Sequence, residues 1–149
     1  MVRNILFALA AVIAASPLVA APLSVSVVDG AGHPVRDAVV TLYPSGNAAK
    51  PPRGGGRFVV SQRNLQFRPF LTVVPVGADV SFPNLDPTKH HVYSFSAAKK
   101  FELKLFAKDQ SRTVHFDKPG VVALGCNIHD QMSAFIVVTD SACGSRNGW

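Results

Sequence analysis

Apolar and polar residues alternate in several short runs of this chain. The alternation is clear in residues 23–27 and 101–105, while residues 71–74, 121–124 and 134–139 are nearly continuous apolar runs. A period of two is typical of a half-buried β-strand, and a short apolar run between turns is typical of a buried one. We therefore predict strands over residues 23–27, 38–43, 58–60, 65–67, 71–74, 79–82, 91–95, 101–105, 111–116, 121–124 and 134–139.

Glycine and proline separate these strands, and no segment of useful length has helical periodicity. Many short strands with turns between them are typical of a β-sandwich or a small barrel. The N-terminal pair of strands is too short to hold its own core, so we expect it to join the same sandwich. The predicted organisation is a leader over 1–20, one all-β domain over 21–140 and a flexible tail over 141–149.

The first residues have the features of an export signal. Arg3 is followed by an apolar run over residues 5–15, and small residues then offer a cleavage site near Ala20. Such a run is too short to cross a bilayer and matches a secretory signal peptide. We expect a periplasmic protein with no membrane insertion after signal removal.

The charge balance favours some partners and argues against others. The chain carries 15 Lys and Arg against 9 Asp and Glu, a formal net charge of +6. A basic surface favours acidic partners, but without interleaved aromatic and basic residues a nucleic-acid partner is not expected. The sequence has no paired carboxylates and no Ser–His–Asp pattern of the kind that indicates catalysis. We therefore expect that the protein is not an enzyme.

One loop combines three soft metal ligands. Cys126, His129 and Met132 follow the predicted strand 121–124 within seven residues, and a second histidine source, His90-His91, lies on another predicted strand. Two His, one Cys and a weak Met form the ligand set of a blue-copper electron-transfer site. The spacing therefore predicts a copper-binding redox carrier.

Residues 67–139 resemble a cupredoxin of the plastocyanin, amicyanin and pseudoazurin type. The motifs that carry the resemblance are Phe67-x-Pro69, Gly77, Phe82-x-Asn84-x-Asp86, His90-His91-Val92 and Gly120-x5-Cys126-x2-His129-x2-Met132. The short Cys-x2-His-x2-Met loop is most similar to that of amicyanin and of small methylamine-utilisation proteins. The resemblance implies a Greek-key β-sandwich that holds one copper per chain.

The same resemblance implies the ligands and the partners. His90, Cys126, His129 and Met132 are the expected metal ligands, with Asn84 and His91 as supporting residues. His91 stands where the family commonly has an Asn that ties the ligand loop to the strand. By analogy, the redox partners are a c-type cytochrome and a quinoprotein dehydrogenase.

The residues leave alternatives at three points. His91 replaces His90 as the upstream ligand if Phe95 points into the core, because alternate side chains of a strand share a face. Two cysteines in an exported chain also suggest a Cys126–Cys143 disulfide in a metal-free binding module. The same ligands also suit copper delivery, or a small copper oxidoreductase if Met132 does not bind.

Overall fold

The computed structural model describes residues 23–43, 56–141 and 143–146. The predicted leader over 1–20 lies outside these residues, and no helix among them is long and apolar enough to span a membrane. In the described part, the strands are β1 Val39–Leu42, β2 Phe58–Val59, β3 Ser61–Gln62, β4 Phe67–Arg68, β5 Leu71–Pro75, β6 Ala78–Pro83, β7 His90–Ser96, β8 Lys99–Phe106, β9 Ser111–Phe116, β10 Gly120–Gly125, β11 Ser133–Thr139 and β12 Cys143–Arg146.

Two sheets form the sandwich. The larger sheet has the order β5-β11-β10-β7-β8, and the smaller has the order β2-β6-β9. The outer strand β5 runs parallel to β11, whereas β10 is antiparallel to both β11 and β7. The order brings strands together that are distant in sequence, which predicts slow folding relative to a protein of local contacts.

The core lies between the inner faces of these sheets. In β6, Ala78, Val80 and Phe82 are buried, while Asp79 between the first two is exposed, as the period of two requires. The ring of Phe101 in β8 crosses to the smaller sheet, with centroids 5.9 Å from Phe82 and 6.1 Å from Phe116. Aromatic contacts therefore connect the two sheets.

The structure confirms the predicted all-β sandwich. The strands predicted over 71–74, 79–82, 91–95, 101–105, 111–116, 121–124 and 134–139 are all present, most of them one or two residues longer. Strand β3 was not predicted, because Ser61–Gln62 carries no alternation that marks a strand. Alternation and short apolar runs together thus found the strands that supply most of the core.

The N-terminal region differs from the prediction. Residues 23–27 form no strand, and the segment that follows them makes an isolated β-bridge between Val28 and Pro34. The alternating Leu23 and Val25 are exposed, so their pattern has no core face to bury. Alternation alone does not supply a strand with a hydrogen-bonding partner.

The C-terminal residues also differ from the prediction. Strand β12, in the segment predicted as a flexible tail, pairs antiparallel with β1 in a separate two-stranded sheet. Tyr43 donates a hydrogen bond to Asp140 at 3.2 Å, and the Ser141 hydroxyl donates to the Leu42 carbonyl. These contacts join the N-terminal strand to the chain that follows β11.

Replacing Phe82 tests the assigned core. Phe82 is 0% exposed, whereas Phe95 on the outer face is 78% exposed. Phe82→Ala should lower the free energy of unfolding by about 3–5 kcal/mol, because it removes buried area and leaves a cavity. The matched variant Phe95→Ala should change it by less than about 0.5 kcal/mol. Urea denaturation measures both, and equal effects would contradict the assigned core.

Candidate metal centre

A tight hairpin brings Cys126 and Met132 together. Gly125 at the end of β10 pairs with Ser133 at the start of β11, so residues 126–132 form the connecting loop. Both residues continue the inward parity of their strands, after Leu124 and before Ala134, and both are buried. Their side chains therefore enter the core from adjacent ends of one ladder.

Strand β7 brings the upstream histidine to the same end. Gly125 also pairs with Tyr93, which places the start of β7 beside the loop. His90 is fully buried on the inner face with Val92, while Phe95 on the other face is 78% exposed. Strand parity would favour His91 as the upstream ligand only if Phe95 pointed into the core. Because Phe95 points outward, parity favours His90.

Three ligand atoms converge at this point. Cys126 Sγ lies 4.0 Å from His90 Nδ1 and 3.8 Å from His129 Nδ1. All three donor atoms lie within 4.8 Å of one another. The two imidazole rings are tilted by 59°, with centroids 4.9 Å apart. The geometry brings together groups that are 39 residues apart at most, from His90 to His129.

Met132 completes the predicted set. Its amide donates a 3.0 Å hydrogen bond to the His129 carbonyl, which closes the end of the loop. Its side chain belongs to the same buried cluster as Cys126. His90, Cys126, His129 and Met132 are thus positioned to form a single copper site.

The chemistry of these donors suits copper. Donors about 4 Å apart can share an ion that lies about 2.0–2.3 Å from each. Thiolate and thioether sulfur favour Cu(I), while imidazole binds both oxidation states well. His129 is half-buried, whereas His90 and Cys126 are buried, so the site is exposed to solvent mainly at the His129 ring.

A buried carboxylate, that of Asp86, supports His90 in a role that its position in the sequence does not predict. Asp86 Oδ2 lies 2.8 Å from His90 Nε2, the nitrogen on the far side of the ring from Cys126. The carboxylate also accepts hydrogen bonds from the amides of Asn64 and Leu65. Burial opposes its ionisation, but the Leu65, His90 and Asn64 hydrogen bonds outweigh burial and lower the pKa of Asp86 below its ordinary value.

Asn84 holds the loop that carries this carboxylate. Its side-chain amide donates to the carbonyls of Thr88 at 2.8 Å and Phe106 at 3.1 Å. Its side-chain oxygen accepts the Asp86 amide at 2.9 Å. Asn84 therefore connects the residues before β7 to the end of β8 without touching Cys126 or either imidazole in these contacts.

His91 faces away from the cluster. Its Nε2 lies 2.9 Å from Glu102 Oε1 on the neighbouring strand β8. Its buried Nδ1 has no hydrogen-bond partner within the described residues. No hydrogen bond among those residues joins His91 to the loop 126–132, so the Asn-like tie that we expected of it has no counterpart here.

Cys126 is a free, buried cysteine. The alternative of a Cys126–Cys143 disulfide therefore does not describe this structure. The backbone of Cys143 pairs with Leu42 in the separate two-stranded sheet.

Comparisons with known proteins agree with this fold. A P52G mutant of amicyanin in its reduced Cu(I) form is 21% identical with a TM-score of 0.53, over 58% of this chain and 85% of that one. A purple cupredoxin from Nitrosopumilus maritimus is 18% identical with a TM-score of 0.51, over 55% of this chain and 99% of that one. No protein-family model matches the sequence, and curated proteins give no significant match.

An enzyme also shares the fold. A copper-containing nitrite reductase from Thermus scotoductus SA-01 is 22% identical with a TM-score of 0.53, over 67% of this chain but only 25% of that one. The sandwich therefore occurs both alone and as part of a larger chain. From these likenesses and its own strand order, the chain has the cupredoxin fold, and its four gathered side chains are consistent with a cupredoxin.

Removing the Asn84 side chain tests its structural role. Asn84→Ala should lower the free energy of unfolding by about 3 kcal/mol, because it removes three hydrogen bonds, to the carbonyls of Thr88 and Phe106 and from the Asp86 amide. Asn127→Ala, at an exposed position of the loop 126–132, is the control and should change stability by less than about 0.5 kcal/mol. Chemical denaturation of the metal-free protein provides the measurement. A loss below about 1 kcal/mol for Asn84→Ala would refute this role.

Proposed function

We propose that this protein is a mononuclear type 1 copper protein that carries single electrons between periplasmic redox partners. The observation that carries the proposal is the convergence of Cys126 Sγ with the Nδ1 atoms of His90 and His129. In this assignment these three residues would be the strong ligands and Met132 the weak one. When bound, copper supplies one-electron chemistry by cycling between Cu(II) and Cu(I).

The burial of the site favours electron transfer over copper delivery. Electron transfer is fast when the ligands hardly move between oxidation states, and three of the four side chains are fixed in the core. Delivery needs an open site from which the metal can leave. In this assignment Met132 would take the fourth position and leave none for a substrate, so we propose a carrier and not an enzyme.

An apolar side chain lies next to the exposed edge of the site. Ile128, which precedes His129, is 46% exposed. We propose that a redox partner docks here and exchanges electrons through the half-buried His129 ring. A partner with a partly acidic surface is favoured by the net charge of +6. A c-type cytochrome and a quinoprotein dehydrogenase are the proposed partner classes.

Copper titration of the exported form tests the proposal. One equivalent of Cu(II) should produce an intense thiolate-to-copper band in the visible spectrum, and reductant should bleach it reversibly. Cys126→Ser should abolish the band, whereas Cys143→Ser, the matched control, should leave it unchanged. Binding of Cu(I) without any Cu(II) band would refute electron transfer and favour delivery.

Separate replacements of the two histidines test the upstream ligand. His90→Ala should weaken Cu(II) binding by about tenfold or more and change the visible band, because it removes a nitrogen donor. His91→Ala should retain the band, since its ring faces Glu102. Competition with a chelator measures the affinities. The reverse ranking of the two variants would show that His91 is the ligand.

A further inference from the structure

Asp86 and His90 form a buried pair at the back of the metal centre. The carboxylate is 4% exposed and the imidazole is 0% exposed, so water does not compete for their 2.8 Å contact. The ring presents Nε2 to Asp86 and Nδ1 to Cys126. The pair therefore connects the proposed copper ligand His90 to the carboxylate of Asp86, in the loop before β7.

A strained turn keeps this carboxylate in place. Asn64 and Leu65 both have φ of 55°, in the left-handed region that costs a non-glycine residue about 1 kcal/mol or more. The turn is closed by reciprocal backbone hydrogen bonds between Arg63 and Gln66. In this conformation the amides of Asn64 and Leu65 both donate to Asp86. Strain held beside a site is a reason to look for a role of the group that it orients.

The pair determines which nitrogen of His90 carries the proton. An ionised carboxylate only accepts hydrogen bonds, so Nε2 must be the protonated nitrogen. Nδ1 then has its lone pair free, directed at the point shared with Cys126. A carboxylate partner also makes the imidazole a stronger electron donor to a metal.

We propose that Asp86 is a positioning residue that fixes the His90 tautomer and lowers the reduction potential of the copper. The second part rests on the proposed function. Reduction adds one electron to Cu(II) and gives Cu(I), so a fixed negative charge nearby favours the more positive oxidised ion. The turn at Asn64 and Leu65 is thereby part of the metal centre, although neither residue is a ligand.

Asp86→Asn separates this role from loop structure. The loop itself is held by Asn84, whose side-chain oxygen accepts a hydrogen bond from the backbone amide of Asp86. The substitution retains this bond because it changes only the side chain. Asn64 donates to Oδ1, whereas Leu65 and His90 both contact Oδ2. A carboxamide has one accepting oxygen and no charge, so it cannot serve both positions as the carboxylate does. Where its NH₂ group takes the place of Oδ2, it faces His90 Nε2 and favours the proton on Nδ1, the nitrogen needed for copper.

The first readout needs no metal. In the metal-free wild type, ¹⁵N NMR at neutral pH should show His90 with its proton on Nε2, and Asp86→Asn should increase the Nδ1–H form at least tenfold. Asp86→Glu, which keeps the carboxylate, should retain the Nε2–H form. A wild type with its proton on Nδ1 overturns the proposal even if no variant folds.

The second readout is the reduction potential, measured by voltammetry of the copper-loaded proteins. Asp86→Asn should shift the equilibrium toward Cu(I) by about tenfold or more, which is about 59 mV for one electron. Asp79→Asn is the control, because Asp79 forms an exposed pair with His115 at 2.8 Å, at the start of β6 and away from the site. Equal shifts in both variants would overturn the tuning role.

Failure of the wild type to bind copper would refute the proposed function and, with it, the tuning role. The NMR result would still decide the tautomer role.

Discussion

The antiparallel pairing of β10 with β11 is the constraint on which the metal centre depends. Because Gly125 lies opposite Ser133, the residues next to them begin and end a loop whose two ends are neighbours. Strand parity then directs Cys126 and Met132 inward, with the same alternation that buries Val122 and Ile136. A shift of one residue in this register would turn both sulfur atoms to the opposite face, so core packing and ligand placement are specified together.

Burying polar groups beside this hairpin requires a complete hydrogen-bond network. A buried histidine or carboxylate without a partner is costly, and here each satisfies the other. Asn84 extends the network to the end of β8, and the turn at Asn64 supplies a further donor to Asp86. The network therefore holds three loops together at one end of the sandwich. A rigid end of this kind suits a metal that changes oxidation state with little movement of its ligands.

The sequence predicted the sandwich well because its core strands alternate or run apolar. Cys126, His129 and Met132 could be placed together because they lie on one short loop. The choice between His90 and His91 could not be settled from the sequence, because it depended on whether Phe95 points into the core. A large aromatic residue is usually buried, whereas Phe95 is mostly exposed. The role of Asp86 was also missed. Its contact with His90 depends on the path of residues 84–90 and on amides of a distant turn, which no spacing rule contains.

In the proposed site, one copper ion binds the thiolate of Cys126 and the imidazoles of His90 and His129. X-ray absorption at the copper edge, on protein loaded with one equivalent, measures the atoms around the metal directly. We expect one short copper–sulfur distance and two copper–nitrogen distances from imidazole, in both the oxidised and the reduced protein. A first shell of oxygen and nitrogen alone, without sulfur, would contradict it.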